Sequence, residues 1–483
     1  MKKIKQIFFL FLGFLLIPNI VYADNIDSDV SNKGRCIVDN GNVFLGGEYL
    51  ELGISPRGSF GALTSAPSTF HVVGSNDTIG LSVNARGFSS GEPSTTGDFF
   101  LPGKPEERFM IGYIKGGDKA GELNEIIVAE KNGHIEFPEP IQDFKTECEC
   151  DFSTGLLKAT TTGISKDNLK ITIINEFYND DQYFKTTVKL ENLSDEELTE
   201  VRYMRSFDPD QDYDLYGTYK TLNKVISNPI PPYTSNMYAM VVAKGIKSND
   251  AFFYMTTDTR ARSSIASSIS PGSIYDDNVW IESDSTIPST PTTEDITTTE
   301  GYVESDGYIA LTFNLGTLLP GEKATFQYYS SLNPSVEDGL NAIETMQFAH
   351  GKIKVKNYPQ SNNKQDELII EGVNPNDKIE IYADAYGKNK LLSFEAKDEY
   401  FQKNKLVYKL NKDLLEDEGG VFYLSVIDES TGEKSNLITY NYESATDTTI
   451  SLIWKRLGYT IAILAILTLI YYIYTKYKKD QFK

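Results

Sequence analysis

The residues best suited to chemistry are the four aspartates of Asp208-Pro-Asp-Gln-Asp-Tyr-Asp214. Carboxylates at alternate positions converge when a loop curls around a hard cation, as in calcium loops of the D-x-D-x-D kind. Asp208, Asp210, Asp212 and Asp214 are therefore candidate calcium ligands. The full helix-loop-helix calcium motif is absent, because Tyr213 stands where that motif carries Gly and Tyr219 where it carries the bidentate Glu. A solvated acidic turn and ion pairs to Arg202, Arg205 or Lys220 are the competing readings. Gly87-Phe-Ser-Ser-Gly91 matches G-x-S-x-G, and His134 could complete a serine hydrolase set, but the motif needs a strand-to-helix turn that exposes Ser89. Glu92-Pro93 and the Ser, Thr and Gly residues that follow forbid such a helix, so a loop is expected. His71, His134 and His350 stand apart, with no metal-ligand spacing between them. No catalytic set with its required context is present.

Cys36, Cys148 and Cys150 are the only cysteines. Positions 148 and 150 face the same side of a strand, so either could meet Cys36 in an oxidising compartment, while a Cys148 to Cys150 bridge would be strained. An odd count leaves one thiol over.

These residues sit on strands. Phe184, Thr186, Val188 and Leu190 alternate with Lys185, Thr187, Lys189 and Glu191 before the turn-forming Asn192 to Asp195. Ile309, Leu311, Phe313 and Leu315 alternate with Ala310, Thr312, Asn314 and Gly316 before Pro320-Gly321 turns the chain into Ala324 to Tyr328. Tyr238 to Ala243 and Ala251 to Met255 are continuous apolar runs, as expected of central strands. Near Pro334 the pattern changes. Ser335 is placed to cap a helix reaching about Phe348, with Leu340, Ile343 and Met346 at helical spacing. Seven strand-like runs then follow: Lys352 to Lys356, Glu367 to Glu371, Lys378 to Ala383, Leu391 to Glu395, Leu406 to Leu410, Val421 to Ile427 and Leu437 to Tyr442. Their number and spacing suggest an immunoglobulin-like sandwich acting as a spacer.

The region from about Asn42 to Leu332 resembles a domain of exported bacterial surface proteins of unassigned activity. The resemblance is carried by Gly46-Gly-Glu-Tyr-Leu-Glu-Leu-Gly-Ile54, Gly97-Asp-Phe-Phe-Leu-Pro-Gly-Lys-Pro-Glu-Glu-Arg108 and Arg205-Ser-Phe-Asp-Pro-Asp-Gln-Asp212, with Thr257-Asp-Thr-Arg-Ala261 and Leu315-Gly-Thr-Leu-Leu-Pro-Gly-Glu322. It implies a large antiparallel sandwich and brings no substrate or catalytic residue with it. Ser283 to Glu300, rich in Ser, Thr and Pro, is expected to be an exposed loop within this domain.

The two ends of the chain place the rest. Lys2, Lys3 and Lys5 precede the apolar run Ile7 to Ile17, and Val21-Tyr22-Ala23 offers a cleavage site, which together read as a secretory leader. Leu457 to Thr475 is an uncharged stretch flanked by Lys455-Arg456 and Lys476 to Lys479, long enough as a helix to cross a bilayer of roughly 30 Å. With Trp454, Tyr459, Tyr471, Tyr472 and Tyr474 at its ends, it reads as a single transmembrane helix with the basic tail inside. Three of the 46 Lys and Arg lie in the leader and six from residue 455 onward, while of 68 Asp and Glu only Asp480 does, leaving 67 acids against 37 bases outside. Nucleic acid is excluded as a partner, since its binding rests on neutralising phosphates with Lys and Arg.

The expected class is therefore all-β: a large antiparallel β-sandwich plus a smaller immunoglobulin-like β-sandwich, with one C-terminal transmembrane helix. The expected divisions are 1–23 leader, 24–41 extension, 42–333 large sandwich, 334–349 helical connector, 350–443 small sandwich, 444–453 linker, 454–475 transmembrane helix and 476–483 cytoplasmic tail. The function expected from these features is a membrane-anchored cell-surface protein with a non-enzymatic binding, adhesion or envelope-assembly role, facing an extracellular protein or glycan. The alternative is a carbohydrate-active enzyme on a mutarotase-like sandwich, using Glu106 or Glu107 with a His. Paired carboxylates a few ångströms apart, beside exposed aromatics, would favour the enzyme.

Overall fold

Alternation decides which side of each strand is buried. In Tyr183–Asn192, Phe184, Thr186, Val188 and Leu190 are fully buried while Lys189 is exposed. Lys185 is nearly covered because it lies over Glu176, with 2.5 Å between ammonium and carboxylate. Tyr308–Leu318 buries Ile309, Leu311, Phe313 and Leu315 in the same manner. Such strands need a second apolar face, and each finds one in a neighbouring sheet.

The computed structural model describes residues 34–442 apart from 74–76, 102–105, 116–124, 132–133, 136–140, 230–237, 267–268, 270, 276–297, 300, 347–353, 359–364, 385–386, 412–419, 430–433 and 436. The leader, the transmembrane stretch and tail, and most of the Ser283 to Glu300 segment lie outside the described residues. Among the described residues no helix is long and apolar enough to cross a membrane.

The large domain consists of antiparallel sheets. A ten-stranded sheet carries Lys323–Asn333 between Ala251–Thr256 and Tyr183–Asn192. A six-stranded sheet runs Ala261–Ala266, Tyr308–Leu318, Leu198–Phe207, Glu107–Lys115, Glu125–Lys131, His134–Ile135. Their apolar faces meet: Phe326 of the first sheet and Phe313 of the second have ring centroids 4.3 Å apart, and Tyr203 lies 5.1 Å from Phe326. Each fully buried Phe contributes roughly 1.5–3 kcal/mol relative to an exposed one. A four-stranded sheet, Arg35–Asp39 to Leu81–Val83, adds its apolar residues to this core.

The hairpin at Pro320-Gly321 forms as the residue types require. Glu322 N–H donates to Leu319 C=O at 2.9 Å, and Gly321 takes φ +77°, a backbone region open to Gly at no steric cost. The connecting helix is Val336–Met346, with Ser335 Oγ accepting the Asp338 N–H at 3.1 Å. Of the apolar positions at helical spacing, only Leu340 has a described side chain. Leu340 is exposed, whereas Val336 and Ala342 pack on the Phe253 cluster and a Cβ on Gly339 would lie 2.1 Å from the Phe253 ring. The absent Gly339 side chain lets the helix approach, which turns Leu340 outward.

In the small domain the seven expected runs correspond to Lys354–Tyr358, Gln365–Glu371, Lys378–Tyr382, Lys390–Glu395, Lys405–Asn411, Gly420–Ile427 and Ile438–Tyr442. They form two four-stranded antiparallel sheets, completed by the short Phe401–Gln402, around Leu368, Ile370, Ile379, Ile381, Leu406 and Leu424.

The cysteine question is resolved by register. Cys36 bonds to Cys150, with Cα atoms 6.2 Å apart, and Cys148, two residues back along the strand, keeps its thiol. Burial pushes that thiol up to about 11.

Candidate active site

Three strands of the six-stranded sheet end side by side. Phe207 stands opposite Glu107 on one side and Ile309 on the other, and Asp208 N–H donates to Glu106 C=O at 2.9 Å. Residues 106, 208 and 308 thus share one sheet edge and, by the period of two, one face. That face is partly closed by Ile269 and Ile274 over Met110, Met204 and Ala310.

The same period separates the two acids suggested by the sequence. Glu107 is turned into the core and fully buried, its Oε2 accepting the Phe60 N–H at 2.7 Å and its Oε1 bound to Arg205 Nε. The Arg205 guanidinium lies 4.2 Å from the Phe60 ring centroid. No substrate can reach Glu107. It is an internal tie, as are Glu51, which accepts from Arg35 and the His71 N–H, Asp98, which accepts the Gly80 and Phe100 N–H groups, and Asp258, which accepts from Arg260; each is at most 4% exposed. Glu106 faces outward. Its Oε2 accepts Arg108 Nη2 at 2.9 Å and the hydroxyl of Tyr308. Arg108 is held in turn by the Ile269 carbonyl at 2.8 Å. Burial, and next the hydrogen bond to Glu106, keep the Tyr308 phenol above its ordinary range, so it carries its proton at neutral pH.

Beside this pair lies an acidic cluster. Carboxylate oxygens of Asp208, Asp210 and Asp306 all lie within 4.8 Å of one another, a set that could hold a metal ion. Asp210 is 3% exposed, and its Oδ1 makes no hydrogen bond. Burial, and then the charges of Asp208, Asp306 and Glu106, push its carboxyl up to about 9. Asp306, from the turn before Tyr308–Leu318, is raised by burial against the pull of Lys220. Tyr213 and Tyr219 stack alongside at 4.0 Å between centroids.

Two of the four expected cation ligands belong to this cluster and two do not. Asp212 accepts the Lys247 N–H at 2.7 Å and the Ser248 N–H at 3.3 Å, fastening a turn of the ten-stranded sheet. Asp214 lies on the one-turn helix Tyr213–Tyr216, against Gly97. The expectation was a loop curling around the ion with all four carboxylates inward, but Tyr213 N–H donates to Asp210 C=O and starts a helical turn, in which residues two apart point roughly 200° away from each other. Asp306 supplies the third carboxylate instead. Nothing local marks Asp306; the signal lies only in the pairing of Phe207 with Ile309. The alternative partners are also placed: Arg202 meets Glu200 at 3.3 Å, and Arg205 is committed to Glu107.

The remaining candidates lie elsewhere. Ser89 sits in a loop of successive turns, Gly87 N–H to Asn84 C=O and Gly91 N–H to Phe88 C=O, with no helix after it. His71 N–H donates to Glu51, His134 is on the edge strand His134–Ile135, and His350 lies outside the described residues.

No protein-family model and no curated protein matches the chain. Among solved structures, it is similar to a polysaccharide lyase at 11% identity, with 80% of this chain and 46% of that one covered and a TM-score of 0.32. It is similar also to an α-mannosidase from Enterococcus faecalis, at 11% identity, 72% and 38% coverage and a TM-score of 0.30. A third is the heparan sulfate lyase HepC from Pedobacter heparinus, at 11% identity, 80% and 43% coverage and a TM-score of 0.26. The chain spans less than half the length of each. The expectation of a non-enzymatic binding, adhesion or assembly role is not upheld by these comparisons, since the solved structures the chain is similar to are by name mostly carbohydrate-active enzymes. At such scores the likeness transfers no substrate and no residue role, so the chemistry has to come from the chain's own side chains.

Proposed function

We propose that the large domain is a carbohydrate-active enzyme whose reacting groups are Glu106 and Tyr308. The observation that carries this reading is the gathering of Glu106, Asp208, Asp210, Asp306 and Tyr308, from three distant segments, at one sheet edge, with the carboxylates of Asp208, Asp210 and Asp306 within 4.8 Å of one another. Cleaving or rearranging a sugar needs a group that gives a proton and one that takes it. The Tyr308 hydroxyl bears a proton and already points it at Glu106; Glu106, paired with Arg108, is the acceptor. The stacked Tyr213 and Tyr219 offer a flat apolar wall for a sugar ring.

Asp208, Asp210 and Asp306 would hold a calcium ion, a hard cation suited to three carboxylates, and the orphaned Asp210 Oδ1 favours this second element of the proposal. Bound there, calcium would supply positive charge beside the reacting groups. The leader and the 454–475 stretch support export and anchoring, with the small domain as an immunoglobulin-like spacer. The test is turnover. Full-length protein in detergent is screened against glycans for new reducing ends or unsaturated products, and Glu106→Gln and Tyr308→Phe should each lower the rate about 10²–10⁴-fold with folding intact. Turnover unchanged in both variants would remove these residues from the mechanism.

A further inference from the structure

The proposed reacting pair is almost shut in. Tyr308 is 9% exposed and the Glu106 side chain 11%, so a sugar ring touches both only if something beside them moves. The outer face of the six-stranded sheet next to them is crossed by a short strap that follows Ala261–Ala266 and includes Ile269 and the 3₁₀ turn Pro271–Tyr275. It runs along Glu107–Lys115. Arg108, Met110 and Gly112 stand on one face of that strand, and the strap meets each of them. The Ile269 carbonyl accepts Arg108 Nη1 at 2.8 Å, Ile269 and Ile274 cover Met110, and the Tyr275 ring takes the place of the side chain that Gly112 lacks, where a Cβ would lie 2.7 Å from it.

Side chains and single carbonyls hold the strap down. Arg202 Nη1 donates to the Ile274 carbonyl at 3.4 Å and its guanidinium lies 4.8 Å from the Tyr275 ring centroid, while the Tyr275 hydroxyl donates to the Glu200 carbonyl at 3.1 Å. Water or a hydroxylated ligand can replace each of these bonds. Of the strap's described side chains, Ile269 and Ile274 are buried, whereas Ser273 and Tyr275 are half-buried. Two isoleucines make a far smaller contact than the face of a whole sheet, so the strap can part from the sheet while both sheets stay folded. Arg108 joins this cover to the chemistry, because its Nη2 binds Glu106 at 2.9 Å while its Nη1 binds the strap.

We propose that the strap is a lid, which lifts from the outer face of the six-stranded sheet to admit substrate to Glu106 and Tyr308. Its role in admitting substrate rests on the reading of that pair as the reacting groups. Its lifting does not, and is measured without turnover.

Ser206 is fully buried on the covered face, opposite Arg108 and Ala310. Ser330 is equally buried but faces the core between the sheets, on the side of its strand that carries Phe326 and Tyr328. Ser206→Cys and Ser330→Cys, both nearly isosteric, are made separately in the full-length chain, and labelling by a thiol reagent is followed by peptide mapping at low urea concentrations. Labelling at 206 should be at least tenfold faster than at 330 and nearly independent of urea, whereas labelling at 330 should follow global unfolding. Tyr275→Ala should raise the rate at 206 at least a further tenfold relative to that at 330. Met204→Cys, also beneath the strap, is the second probe if Ser206→Cys does not fold. Equal, urea-dependent rates on the two faces, or a rate beneath the strap that Tyr275→Ala leaves unchanged, would overturn the lid. Rapid labelling beneath the strap together with full turnover in Glu106→Gln would keep the lid and reject only the assignment of the reacting pair.

Discussion

Asp98 accepts hydrogen bonds from the backbone N–H groups of Gly80, Leu81, Phe100 and Leu101, at 2.8 to 3.2 Å. Burial nevertheless outweighs these bonds and pushes its carboxyl up to about 7. The folded protein therefore holds the proton more tightly than the unfolded chain does. Its contribution is fully present below the ordinary carboxylate range, near pH 4, and is lost as pH rises to about 7, with a slope near 1.4 kcal/mol per pH unit in between. Urea midpoints measured across this range should fall as pH rises, and Asp98→Asn should lower overall stability yet flatten the slope by about one proton. An unchanged slope would show that Asp98 is not the titrating group. The cation ligands are separable at the same scale. In the parent protein, millimolar calcium should raise the melting temperature relative to chelator. Asp306→Asn should abolish that shift and Asp214→Asn should keep it; equal melting temperatures with and without calcium in the parent would end the calcium assignment.

Between elements, the Cys36–Cys150 bond spans 114 residues and ties the edge strand Arg35–Asp39 to the end strand of the ten-stranded sheet. A crosslink of that span stabilises mainly by restricting the unfolded chain, typically by about 2–4 kcal/mol. Replacing both cysteines by serine should lower unfolding stability by that order, readable as a lower denaturant midpoint with a steeper slope, because the unfolded chain then exposes more surface. Peptide mapping after alkylation under denaturing, non-reducing conditions should place the only label on Cys148. Label on Cys36 or Cys150 would contradict the pairing.

For the whole molecule, the sequence expectation of export and a single membrane helix leads to a cellular test. Protease added to intact cells stripped of their wall should remove the large and small domains and leave a short membrane-bound fragment containing 454–475. Full protection of the chain would reject an external location. Among the described residues every sheet is completed by strands between Arg35 and Tyr442, so the domains should remain folded after release.

What the sequence determined by itself is what local rules govern. Side-chain period set the all-β class and the strands at 184–190, 309–315 and through the small domain, because a one-residue slip would expose each apolar face. Ser335 and Pro320-Gly321 were legible for the same reason: a cap and a turn are satisfied within a few residues. The tertiary structure decided which of two neighbouring acids is buried in the core and which joins the outer cluster, since Glu106 and Glu107 differ only in the face of the strand they occupy. It also decided that Asp306, nearly a hundred residues away, completes the cluster that Asp212 and Asp214 leave, and that Cys150 rather than Cys148 meets Cys36. Those outcomes rest on register between distant strands, and register comes from the packing of whole faces against one another, which no short stretch of sequence carries.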